Sequence, residues 1–176
     1  MYRSTAILCA LSATSLASAD LITFTYTGPI SVTFDNVPAV RGQTITFSYD
    51  FDSEAVASVH PSGVGTMYVY PLLSAQGSIG STIYTDFSGG SIAIIDNGPQ
   101  LDGSFLDQYL VTANFPTDQF NELQFGVGFY SECSSPCPAL TSTALPLTPP
   151  DRLFSNGHAW SRLYATDPGV ARFCKY

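Results

Sequence analysis

Lysine is almost missing from this chain: Lys175 is the single one, and basic residues number 6 against 14 acidic ones, a formal charge of −8 at neutral pH. Nucleic acid and anionic lipid surfaces are held through clusters of lysine and arginine, so this balance excludes both as partners. Glutamate is nearly as scarce, with only Glu54, Glu122 and Glu132. Exposed helix faces normally carry Glu and Lys, and their shortage argues against helices. Also lacking are a phosphate-cradling glycine loop, a Gly-x-Ser-x-Gly nucleophile elbow and any metal-ligand spacing. No internal repeat, heptad or low-complexity block is present, and no apolar run reaches the roughly 20 residues of a spanning helix.

What is present begins with an export pattern. Met1-Tyr2-Arg3 carries one charge, Ala6 to Leu11 is apolar, and Ala17-Ser18-Ala19 supplies small residues before Asp20. This order predicts a secretory signal peptide over residues 1–19, cut between Ala19 and Asp20. Ser12, Thr14 and Ser15 break the apolar run, so a secreted protein without a transmembrane anchor is expected. The remainder has the length of one domain, read as residues 20–165, followed by an irregular tail over 166–176.

Cys9 leaves with the signal. Cys133-Ser134-Ser135-Pro136-Cys137 is predicted to close on itself in an oxidising compartment. A bridge from Cys137 to Cys174 is the alternative, since it would close a longer loop. Structural zinc lacks a ligand set, because His60 and His158 lie in different stretches without the required spacing.

The strongest pattern is Gln43 to Asp52, where Ile45, Phe47, Tyr49 and Phe51 alternate with Thr44, Thr46, Ser48, Asp50 and Asp52. A two-residue period sends one set inward and shows water a hydroxyl and carboxylate face. Similar strands are predicted over Leu21–Thr27, Ile30–Phe34, Val64–Tyr70, Leu72–Ile79, Thr82–Phe87, Ser91–Ile95, Leu106–Phe115, Phe120–Tyr130 and Ala159–Tyr164. Asp52–Gly65 is expected to be a surface loop, and Asp96-Asn97-Gly98-Pro99 a turn. Five prolines between Pro136 and Pro150 predict an extended crossover. The expected fold is all-β, an antiparallel β-sandwich, with a jelly-roll-like arrangement or closed barrel as the alternative. Its core should contain Phe24, Tyr26, Ile45, Phe47, Tyr49, Phe51, Leu123, Phe125, Val127 and Phe129.

The landmarks Ile22–Tyr26, Ile45-Thr46-Phe47-Ser48-Tyr49-Asp50, Ile92–Asn97, Asp107-Gln108-Tyr109 and Leu145-Pro146-Leu147-Thr148-Pro149-Pro150-Asp151 together resemble the exported domains of bacterial proteins with a PEP-CTERM sorting tail. The resemblance spans roughly residues 20 to 155 and implies an exported, mostly β domain from an exopolysaccharide-making bacterium, with no assigned catalytic residues. The tail itself, a Pro-Glu-Pro motif, an apolar segment and terminal arginines, is not found in Asp167 to Tyr176. That departure implies either release without anchoring or a truncated or frame-altered member.

Three chemistries remain to be weighed. Asp50, Asp52 and Glu54 could converge on calcium, but Ala55 and Pro61 stand where an EF-hand loop needs glycine and glutamate, and a solvated strand end explains them better. Asp96, Asn97, Asp102 and Asp107 read as residues capping their own turns. Tyr68, Tyr70, Tyr84, Tyr130 and Trp160 are candidate stacking faces for sugar, with core packing as the plainer reading. His60 and His158 would have to meet a serine or carboxylate in a cleft for a hydrolase. The expected function is a secreted, non-enzymatic extracellular or surface-matrix protein needing no cofactor. The alternative is a carbohydrate-binding module, calcium-assisted or not, with extracellular polysaccharide as partner; a secreted hydrolase comes third.

Overall fold

The computed structural model describes residues 20–29, 42–117 and 121–165, without the side chains of 121, 152 and 157–165. The expected signal peptide, the strand over Ile30–Phe34, Cys174 and the tail over 166–176 lie outside these residues. The chain runs β1 (Leu21–Pro29), β2 (Thr44–Asp52), β3 (Ser58–Ser62), β4 (Gly65–Pro71), β5 (Ser74–Ile79), β6 (Thr82–Tyr84), β7 (Gly89–Pro99), β8 (Phe105–Pro116), β9 (Asn121–Cys133) and β10 (Asn156–Ala165). One short 3-10 turn, Pro150–Arg152, precedes β10.

Every strand pairing is antiparallel. One sheet has the order β1-β2-β5-β6 and the other β10-β9-β8-β7-β4-β3, and neither closes into a barrel. The sandwich is therefore the observed architecture. β2 alternates as its sequence demands: Ile45, Phe47, Tyr49 and Phe51 are buried and the residues between them are not. β8 and β9 repeat the pattern on the opposite sheet with Tyr109, Val111, Ala113 and Phe115, and with Leu123, Phe125, Val127 and Phe129.

The sheets meet through aromatics. Phe47 stacks on Phe125 with ring centres 6.1 Å apart, Tyr84 approaches the same ring at 5.6 Å, and Phe115 meets it edge-on at 5.4 Å. Aromatic side chains bury large areas and gain further from offset or edge-on geometry. Gly77 sits directly under the Phe125 ring, where an added methyl would collide with it. Tyr49 and Tyr109 join their hydroxyls across the interior at 2.9 Å, so two polar tips are satisfied without water. Tyr26 stacks on Tyr49 at 6.3 Å and meets Phe129 at a tilt at 5.4 Å, but it is half-buried rather than fully enclosed.

Three local expectations are corrected. The stretch Asp52–Gly65 is not all loop: Ser58–Ser62 forms β3 against β4. It is an edge strand, where the missing amide of Pro61 costs no ladder bond, so a proline that argued against a strand is accommodated. Asp96 to Pro99 is not a turn but part of β7, with a bulge between Ile95 and Gly98. Asn97 takes the positive φ of 51° that the extra residue requires. β6 also stops at Tyr84, short of Phe87.

Two outcomes follow from this core. Burial pushes the Tyr26 phenol up to about 12 and raises Tyr49 and Tyr109 as well. In the unfolded chain these phenols ionise near 10. Above that pH the folded form therefore holds more protons than the unfolded one, and stability falls as pH rises. The urea midpoint should be level with respect to these groups up to about pH 10 and fall steeply beyond it. Absorbance titration should show Tyr49 and Tyr109 silent until the fold is lost and Tyr26 ionising late; smooth ionisation of every tyrosine in the folded protein would contradict the enclosed pair. Gly77→Ala should cost about 1–3 kcal/mol by overpacking, read from the same urea curves.

Candidate functional site

Among the described residues the most enclosed carboxyl group is that of Asp107, fully buried near the start of β8 on its core side. One carboxylate oxygen accepts the main-chain N–H of Asn97 at 2.8 Å and the other that of Leu140 at 2.7 Å. Asn97 extends the network: its side-chain oxygen accepts the N–H of Cys137 at 2.6 Å and its amide donates to Asp96 at 2.6 Å. Ser131, directly across the ladder from Asp107, is also buried and accepts the N–H of Ser155 at 2.9 Å. Cys133 and Cys137 are joined, with Cα atoms 5.4 Å apart. Asp96 is raised above the usual carboxyl range, mainly by burial and then by the neighbouring Asp107.

This cluster closes one end of the sandwich. The crossover after β9 has too many prolines to pair as a strand, so its free amides need other acceptors. Asp107 and Asn97 supply them at Cys137 and Leu140, while Tyr70 donates its hydroxyl to Thr143 O at 2.7 Å. Leu140 and Leu145 then cover the core. Among the described residues no cation reaches Asp107; two charge-assisted main-chain bonds hold it instead. In the sequence Asp107 looked like a turn residue, and its burial could have been inferred only from its place in phase with Tyr109 and Val111.

The candidate stacking residues are not gathered on one solvent face. Tyr68 and Tyr70 both lie on the core side of β4, Tyr70 buried and Tyr68 packed against the core edge. Tyr84 is half-buried against Phe125. Tyr130 is half-buried in β9 and pairs with Gln108 and Asn156. Trp160 pairs with Gly126 in the β10 register, and its side chain lies outside the description, as does that of His158.

Asp50, Asp52 and Glu54 do not converge. Asp50 accepts the hydroxyls of Thr23, at 2.6 Å, and Ser74. Asp52 accepts the N–H of Glu54 at 2.8 Å in a local turn. Among the described residues no group of three His, Cys, Asp or Glu side chains is placed to hold a metal ion. Asp102 is lowered by the hydroxyl and N–H of Ser104. It borders an open hollow of about 280 Å³ beside Leu101 and Glu132. His60 is exposed and reaches Ser58 at 3.1 Å.

The outer face of the four-stranded sheet carries ordered hydroxyl pairs. Thr25 and Ser48 join hydroxyls at 2.9 Å, and Thr27 and Thr46 at 3.2 Å, beside the Thr23–Asp50–Ser74 rung. The signal was present as matched Thr and Ser alternation in β1 and β2, legible once their antiparallel register is known. The chain matches no family model, no curated protein and no solved structure.

Replacing Asp107 tests its role. Asp107→Ala strands two buried main-chain donors at about 1–3 kcal/mol each, so a loss of about 2–5 kcal/mol is expected in urea denaturation. Asp107→Asn keeps one acceptor and should lose less. Equal losses would show that the carboxylate does not hold the crossover.

Proposed function

We propose that the protein is an exported, non-enzymatic component of an extracellular matrix or cell surface. The observation that carries this reading is Asp107: the carboxylate best shielded from water is spent entirely on two main-chain amides. A catalytic acid or base needs a face turned toward a substrate, and a group used in this way acts as a structural pin. The Cys133–Cys137 bridge supports an oxidising compartment. The signal-like residues 1–19 and the likeness to exported PEP-CTERM-type domains belong to the same reading.

Carbohydrate binding is the second reading, favoured by the ordered hydroxyl rungs on β1 and β2. The hydrolase reading draws less support, since His60 is exposed with a strand serine as its partner.

Fractionation of expressing cells with mapping of the mature N-terminus tests the export reading. The protein is expected in the medium or at the cell surface, beginning at Asp20, with Cys133 and Cys137 linked. A cytoplasmic chain retaining residues 1–19 would overturn it. A screen with chromogenic ester and glycoside substrates should show no turnover; turnover that disappears in Asp107→Asn while the fold persists would overturn the structural assignment of that carboxylate.

A further inference from the structure

We propose that the solvent face of the four-stranded sheet, centred on the hydroxyl pairs Thr25–Ser48 and Thr27–Thr46, is a docking surface for an uncharged polysaccharide chain. The inference rests on the extracellular reading above and names the partner's chemistry and the surface that meets it. Thr23, Thr25 and Thr27 are exposed on β1, and each stands opposite a polar residue of β2: Asp50, Ser48 and Thr46. Successive rungs lie two residues apart, about 6.6–6.8 Å along the strand, and neighbouring strands about 4.8 Å apart. The result is a repeating row of hydroxyls rather than a single pocket.

These hydroxyls are oriented before any partner arrives. Threonine is stiff at χ1, and the cross-strand bonds at 2.9 and 3.2 Å fix the direction of the oxygens. Little side-chain freedom remains to be lost on binding. A hydroxyl offers one donor and two lone pairs, so each bonded pair keeps one donor and three lone pairs for a partner. On the third rung Thr23 and Ser74 both donate to Asp50 and retain acceptors only. A polyol carries donors and acceptors together and can meet both kinds of rung.

Charge and shape narrow the partner. The described residues of this face include the acids Asp50 and Asp52 and no lysine or arginine, in a chain of formal charge −8. An acidic polymer would be repelled, whereas a neutral one is not. Adjacent strands are rotated by about 20–25°, so a flat crystalline surface cannot stay in register across the sheet, but a flexible chain can follow the row. Each contact replaces a bond to water and is weak alone, so retention should come from several rungs on one polymer.

The test is affinity electrophoresis of the purified protein in gels containing dextran or mannan, and a pull-down on insoluble curdlan, with alginate as the acidic control. Retardation or retention is expected with at least one uncharged polymer and not with alginate. Thr27→Val/Thr46→Val removes one hydroxyl pair while keeping shape and strand preference, and should weaken retention about fivefold or more with thermal midpoint nearly unchanged. Should that variant fail to fold, Thr25→Val/Ser48→Ala carries the same expectation. No retention on any of the three uncharged polymers, stronger retention on alginate, or equal retention by the folded variants would overturn the proposal. So would loss confined to Trp160→Ala, which would move the contact to an aromatic platform. The assay uses purified protein, so its failure leaves the export reading intact, while a cytoplasmic location would sink that reading whatever the gels show.

Discussion

Phe47 against Phe125, and Tyr49 against Tyr109, form the seam on which the rest of the molecule depends. Each sheet taken alone would expose a full face of phenylalanine and tyrosine. Joined, the two faces remove that surface from water and settle their polar tips against each other. The seam also explains Gly77, since the Phe125 ring occupies the space where any larger residue of β5 would stand. Such a core tolerates little change in volume, because packed side chains relax only partly around an added or missing group.

Closure at the end of the sandwich follows a different rule. The segment after Cys133 cannot join a sheet, yet it lies over apolar side chains where bare amides would be costly. A carboxylate, a carboxamide and a short disulfide loop solve this together. The bulge in β7 serves the same purpose, because it turns the Asn97 main chain toward Asp107 and its side chain toward Cys137. A polar core and an aromatic core thus sit side by side, the aromatic one pairing the hydroxyls of Tyr49 and Tyr109 and leaving that of Tyr26 buried without a partner among the described residues.

The face assignment of β2 and β9 was legible from the sequence because alternation is a local property with one answer once a face is buried. The core residues from Phe24 to Phe129 follow from it, apart from Tyr26, which sits at an edge where burial is incomplete. β3 was hidden because Pro61 disfavours strands in general and is harmless on an edge. The bulge was hidden because Asn-Gly-Pro is the usual vocabulary of turns, and only the register with β8 decides between the two. Asp107 was misread for a related reason: its partners, at Asn97 and Leu140, are set by tertiary packing. The hydroxyl rungs needed the β1–β2 register, which a single strand's pattern does not contain.

The order of strands has a consequence for how the chain reaches this state. β7, β8 and β9 are successive neighbours in space joined by short loops, so that part can assemble hairpin by hairpin, whereas β10 must return across the crossover of residues 134–155. β2 must wait for β5, across the whole of β3 and β4, and those two strands belong to the other sheet. The smaller sheet is therefore the entropically delayed partner, completed only when non-local pairing becomes worthwhile against an already formed apolar wall. Until then β1 and β2 exist as a solitary ribbon with Phe24, Phe47 and Phe51 open to water, the interval in which this chain is most exposed to misassociation.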